Sequence, residues 1–323
     1  VHLSKEFLVQ PIANLVLKKG PIMSKENHSA PGSMIHILSD GRKLTYFDNG
    51  ISGSTALLMH HGTPGVGDLW ATWFEAAASR GVRAISYSRP GYLGSDRAEG
   101  RTVWSSGADS EELLSFLGIS EFVSIGWSGG GPYALRSTFL ASCRGADLVA
   151  GVAPLEEMGL DWYTDTGPDD SPENIAKLTE SVESALRSAE EKFVGIEDAW
   201  TVEAIDTGAR KRSEYEKFSE RYAFFNEALS RTLLNALKPT LLGYAEDDHV
   251  ILTPWGFKVG SVTAPVSIWN GSLDKGVTVN MAKWQHEQIK NSTLHIIEGQ
   301  NHVSPMVELM DEILSSAIEK LKA

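Results

Sequence analysis

The stretch from Glu121 to Leu140 constrains this chain more than any other. Glu121-Phe-Val-Ser-Ile-Gly126 is β-branched and apolar, the pattern of a strand buried on both faces of a parallel sheet. Gly126-Trp127-Ser128-Gly129-Gly130 follows, and glycines at that density let a backbone bend sharply and pack closely. Pro132 then stands near the first turn of a helical run, where its missing N–H costs nothing. Strand, tight turn and helix in that order form half of a βαβ unit, and a serine at the apex of such a turn has its hydroxyl clear of the sheet.

The same rhythm extends through the chain. Met34 to Leu38 and Lys43 to Asn49 read as a hairpin around Asp40-Gly41, a good turn dipeptide. Ala56 to His60, Val82 to Tyr87, Glu121 to Trp127 and Asp147 to Ala153 read as strands, and Asp68 to Ser79, Thr102 to Leu117 and Gly129 to Ser142 as helices. Ala264 to Gly271 and Thr293 to Glu298 read as late strands. Alternation of this kind predicts an α/β fold with a mostly parallel sheet covered on both faces. After Pro154 the rhythm stops and helical patterns run to about Lys238. Ser171-Pro172-Glu173 predicts a cap and first turn for a helix reaching about Phe193, and Glu197 to Asp206 and Ser213 to Leu237 are further helix candidates. The expected organisation is an extension over 1–33, a core over 34–154 and 239–323, and a helical insertion over 155–238. In the extension, Phe7 to Leu17 is apolar but broken by Gln10, Pro11 and Asn14, without the basic start and small-residue cleavage site of a signal peptide.

Three further loops fall just past strand ends, where open α/β sheets bind ligands. Ala56 to His60 runs into His61-Gly62-Thr63-Pro64-Gly65. The seventh strand runs into Gly271-Ser272-Leu273-Asp274, and the last into Gly299-Gln300-Asn301-His302. Together with Gly126-Trp127-Ser128-Gly129-Gly130, these segments resemble the α/β-hydrolase superfamily, in its serine-nucleophile branch with a His-Gly-x-Pro loop, where esterases and prolyl iminopeptidases are found. The order Ser128, Asp274, His302 is the order of that superfamily. The resemblance implies an eight-stranded, mostly parallel sheet flanked by helices, with a helical cap inserted after strand 6. It also implies an oxyanion hole made by the backbone N–H groups of Thr63 and Gly129. Ser88-Arg89-Pro90-Gly91-Tyr92-Leu93-Gly94-Ser95 is similar to the segment Asp-Arg-Pro-Gly-Tyr-Gly-x-Ser after the fourth strand, which supports the active-site loops. Here Ser88 replaces the usual Asp and the later glycine is shifted by one.

The chemistry assigns three jobs. Serine is a weak nucleophile until a base takes its proton, and His302 is that base. The imidazole must be held in one tautomer and its positive charge stabilised, the part of a buried carboxylate, Asp274. Glu156 and Glu157, after the sixth strand, are the alternative acids, but Asp274 has the better Gly-x-x-Asp context. His61 reads as a structural brace of its loop and His60 as the end of a strand. Asp247 and Asp248 read as a solvated turn, with His249 beside them, and His286 and His295 lie in helix and strand contexts.

A formal charge of −13 argues against nucleic acid or an anionic membrane surface as partner, because phosphate binding needs a basic patch. No run reaches the roughly 18 apolar residues that span a bilayer. The single cysteine, Cys143, expected in the helix after the serine turn, has no disulfide partner. It reads as a small apolar residue, and a cytoplasmic location is expected. No cluster has zinc spacing, so neither metal nor cofactor is expected. Trp127, Trp162, Tyr163, Trp200 and Phe224 are the candidate pocket residues, with Tyr222, Phe225, Trp255 and Phe257 as further aromatics in or near the cap. The expected activity is a cofactor-free serine hydrolase cleaving a small to medium carboxylic ester through an acyl-enzyme. Alternatives are an aminopeptidase of prolyl-iminopeptidase type, although Trp127 precedes the serine where that group carries a tryptophan after it, a lactone or carbon–carbon bond hydrolase, and a perhydrolase-like side activity. A small-molecule receptor on the same fold is the reading of another class, distinguished by tight binding without steady turnover.

Overall fold

The computed structural model describes residues 32–193 and 220–322. Trp200 and the expected helix from Glu197 to Asp206 lie outside them, as does nearly all of the N-terminal extension.

One eight-stranded sheet organises the chain, in the order β1-β2-β4-β3-β5-β6-β7-β8. Its strands are β1 (Met34–Ile37), β2 (Lys43–Asp48), β3 (Thr55–His60), β4 (Arg83–Tyr87), β5 (Glu121–Trp127), β6 (Cys143–Val149), β7 (Val266–Gly271) and β8 (Ser292–Ile297). β1 and β2 pair antiparallel, as does β2 with β4, and every pairing from β4 to β8 is parallel. The expected sheet class therefore holds.

Side-chain alternation explains how the sheet sits between two helical layers. Successive strand residues point to opposite faces. In β3, Leu57 and Met59 join a buried cluster with Trp73 and Ala77, from the helix α1 (Ala71–Ser79). Ala56 and Leu58 join another cluster with Leu113 and Leu114, from α2 (Ser106–Phe116). The serine turn leads into α3 (Gly131–Ser137), shorter than the expected run to Ser142. Cys143 opens β6 rather than lying in that helix; its thiol hydrogen points at the Gly145 carbonyl, and burial pushes its pKa up to about 12.

Between β6 and β7 the described chain is helical: α4 (Leu155–Met158), α5 (Pro172–Glu180), α6 (Val182–Lys192), α7 (Glu220–Leu237) and α8 (Leu242–Leu252). The single helix expected from 172 to 193 is broken at Ser181. That residue is fully extended and caps the second helix by accepting a hydrogen bond from the Ser184 N–H at 3.1 Å. Helix also continues beyond Lys238, through α8. α9 (Val279–Gln288), α10 (Ser304–Glu308) and α11 (Met310–Lys322) complete the fold.

The expectation for Asp247 and Asp248 is overturned. Both lie in α8 and are buried. The helix carries Tyr244, Ala245, Val250, Ile251 and Leu252 into the core, and Asp247 is drawn in by the buried arginines Arg89 and Arg101.

Candidate active site

β3 lies between β4 and β5, so the chain passes over it in going from one to the other, and ligand sites form beyond the strand ends at such switch points. The register sets His60 opposite Gly126, which places the loop from His61 beside the turn at Ser128. Glycine is required for this approach. A Cβ on Gly62 would stand 2.9 Å from the Trp127 ring and 3.3 Å from the Ser128 Cβ. One on Gly129 would come within 2.9 Å of the Thr63 Cβ. Ser128 itself has φ 55, a left-handed conformation uncommon for any residue but glycine, asparagine or aspartate.

The structure brings Ser128, His302 and Asp274 into one line. His302 Nε2 lies 2.9 Å from Ser128 Oγ, and His302 Nδ1 lies 2.7 Å from Asp274 Oδ2. An ionised carboxylate only accepts, so Nδ1 carries the proton and Nε2 is free to accept from the serine hydroxyl. Asp274 is held in turn, its Oδ1 accepting from the N–H groups of Gly276 and Val277, both at 2.9 Å. Trp127 braces the histidine, donating its indole N–H to the His302 carbonyl at 3.2 Å with the ring centroids 5.4 Å apart.

The other candidate acids and histidines are engaged elsewhere. Glu157 accepts from the Val259 N–H and Glu156 lies 3.8 Å from Lys258. His249 Nδ1 contacts the Leu178 carbonyl, His286 contacts Ser292, and His295 stacks on Trp269. His60 does end β3; its Nε2 lies 3.0 Å from Ser124 Oγ.

His61 braces its loop as expected. Its Nε2 accepts from the Arg89 N–H at 3.1 Å, and its Nδ1 lies 2.7 Å from the Gly62 carbonyl. Burial, then the Arg89 charge, hold its pKa well below the ordinary value, so it is neutral with the proton on Nδ1.

Sequence reasoning missed the buried cluster behind this loop. Asp247 Oδ2 accepts from Thr63 Oγ1 at 2.7 Å and from Arg89 Nη2 at 2.5 Å. Its Oδ1 accepts from Tyr133 at 2.8 Å and Arg101 Nη2 at 3.0 Å. Arg89 also donates to the carbonyls of His61 at 2.5 Å and Gly62 at 3.0 Å. Burial pushes the Asp247 pKa up, but the Arg89 and Arg101 charges outweigh it and hold the carboxyl well below the usual range. The available signal was Glu246-Asp247-Asp248 set between apolar residues at helical spacing, with no glycine or proline within the triplet to make a turn.

The candidate pocket aromatics separate in space. Trp162 has no accessible surface and donates its indole N–H to the Ala153 carbonyl at 2.9 Å, so it packs the core rather than presenting a face to a ligand. Tyr163 is partly buried against it. Phe224 is 61% exposed on the wall of a groove of about 440 Å³ that Thr72, Met306 and Met310 also line. Its neighbour Phe225 reaches the Trp127 ring edge-on at 6.4 Å. Among the described residues no cluster of three or more His, Cys, Asp or Glu side chains could hold a metal ion, and no helix is long and apolar enough to cross a membrane.

Comparison with known proteins agrees with this architecture. The model of the alpha/beta hydrolase family matches residues 57–315. The chain belongs to that family. Solved structures show the same fold in other alpha/beta hydrolases at low sequence identity. An esterase from Exiguobacterium antarcticum is 18% identical with a TM-score of 0.63, over 90% of this chain and 99% of its own. A thermophilic esterase from Thermogutta terrifontis is 19% identical with a TM-score of 0.61, over 90% and 99%. An enol-lactonase from Burkholderia xenovorans is 16% identical with a TM-score of 0.64, over 90% and 100%. No curated protein sequence matches this hydrolase.

Proposed function

We propose that this hydrolase cleaves a small to medium carboxylic ester through an acyl-enzyme on Ser128. The observation that carries the reading is the single imidazole of His302 within hydrogen-bond reach of both Ser128 Oγ and the buried Asp274. Ser128 Oγ attacks the ester carbonyl carbon as its proton passes to His302 Nε2. The carbonyl oxygen becomes an oxyanion received by the N–H groups of Thr63 and Gly129, and each such donor is worth about 3–4 kcal/mol. Collapse of the intermediate breaks the carbon–oxygen bond, and His302 returns its proton to the departing alcohol. Water, deprotonated by the same imidazole, then releases the acid and restores Ser128. Asp274 stays ionised throughout and stabilises the imidazolium.

The helices between β6 and β7 are assigned the part of a substrate cap, with Tyr163 and Trp127 kept as candidate pocket residues, Trp127 because its ring lies against that of His302. A fluorophosphonate probe tests the chemistry. It is expected to label the wild type and fail to label Ser128→Ala, with steady turnover of aryl esters by the wild type alone. Equal hydrolysis by the folded Ser128→Ala variant would overturn the assignment. A parallel panel of lactones and N-terminal amino-acid anilides sets ester preference against the lactonase and aminopeptidase activities.

A further inference from the structure

We propose that Asp247 and Arg89 are positioning residues that lock the peptide plane between Gly62 and Thr63, so that helix α8 sets the readiness of the oxyanion site. The inference rests on the assignment of the Thr63 N–H as an oxyanion donor.

That peptide unit needs a lock because a glycine precedes it. Glycine tolerates backbone conformations on both sides of the Ramachandran map, so on its Gly62 side the unit meets little intrinsic resistance to rotation. In a trans planar unit the carbonyl and the N–H point in opposite directions, and holding the Gly62 oxygen therefore fixes the direction of the Thr63 hydrogen. The oxygen is held from two sources, by the protonated Nδ1 of His61 at 2.7 Å and by Arg89 Nη2 at 3.0 Å. A flip would break both bonds. The Thr63 side chain adds a third tie, through its hydroxyl on Asp247.

Asp247 makes the arrangement possible. Arg89 and Arg101 converge on it with 1% and 3% of their side chains exposed, and two guanidinium groups so close and so dry would repel without a shared carboxylate. The same carboxylate accepts from Tyr133 of α3, the helix that comes after Ser128. One acid on α8 thus ties together the oxyanion loop, the segment after β4 and the helix behind the nucleophile. The guanidinium on the Gly62 carbonyl also polarises the peptide unit, making its N–H a stronger donor.

The test compares Asp247→Asn, Thr63→Val and Thr63→Ser with the wild type, using p-nitrophenyl acetate turnover and the affinity for phenylboronic acid, whose tetrahedral adduct on Ser128 is an anion with a boron-bound oxygen in the place of the oxyanion. Removing part of the lock is expected to lower kcat about 10–100-fold with KM within about three-fold, and to weaken the boronate in parallel. Thr63→Ser, which keeps the hydroxyl on Asp247, is expected to restore most of the kcat and boronate affinity that Thr63→Val loses. Thr63→Val leaves the carboxylate paired with both arginines, so it carries the test should Asp247→Asn fail to fold. A folded Thr63→Val with a lower melting temperature but wild-type kcat and boronate affinity would reduce the cluster to a structural brace and overturn the proposal. A wild type that neither turns over the ester nor binds the boronate would overturn the hydrolase reading, and the lock with it.

Discussion

Ser128 shows how a single residue can carry a conformational cost that its position demands. Its φ of 55 places an L-side chain where only glycine sits freely, at roughly 1–2 kcal/mol. That backbone brings Oγ within 2.9 Å of His302. Ser128→Gly should relieve the strain, although a glycine also loses about 0.4–1 kcal/mol through the extra freedom of its unfolded chain. The expected net is that Ser128→Gly melts higher than Ser128→Ala by roughly 0.5–1 kcal/mol, with both inactive, as read by chemical denaturation. Gly129 is the complementary case. The Thr63 side chain occupies the space its Cβ would need, so Gly129→Ala should displace the loop that carries Thr63 and, under the proposed mechanism, lower kcat about 100-fold in the aryl ester assay, on the scale of losing one oxyanion donor.

Among the elements, those defined by strong local signals were legible in the sequence. β3 and β5 are largely apolar runs that lead into glycine-containing turns, and the expected strand bounds there match the observed ones closely. Two failures have physical causes. The helix expected from 172 to 193 breaks because Ser181 leaves the helical conformation to cap α6, and a serine inside an amphipathic run reads equally as a tolerated helical residue. Ser181→Ala should cost about 1 kcal/mol in a thermal melt, the usual loss of a helix cap. Asp247 and Asp248 read as solvated because carboxylates are seldom buried. The arginines and tyrosines that draw Asp247 inward come from segments 114 to 158 residues away in sequence, and no local pattern announces them. The candidate triad was legible for the opposite reason: each member stands just past a strand end, where a strand leading into a glycine-rich turn marks the place.

Across the whole molecule, buried titratable groups tie stability to pH. Burial, then the Arg89 charge, push the His60 pKa down to about 3, and His61 is held well below its ordinary value for the same reasons. An unfolded chain protonates both below about pH 6.5, while the folded chain does not until far lower pH. Their contribution is therefore full above about pH 6.5 and is lost progressively as pH falls toward the folded values. Asp247, held down by its arginines, adds a further loss only below about pH 4, where an unfolded aspartate takes up its proton. Calorimetry is expected to show the melting temperature falling between about pH 6.5 and 4, with His60→Asn flattening part of that slope. A slope that His60→Asn left unchanged would contradict the burial of that ring as a neutral group. The position of Asp247 also limits how this molecule can be recombined. A chimaera that replaced the whole stretch between β6 and β7 with one carrying no acid at this place would strip the carboxylate from Arg89 and Arg101 and leave two buried cations unneutralised. The workable splice falls before Leu242, so that α8 travels with the sheet and not with the helices that precede it.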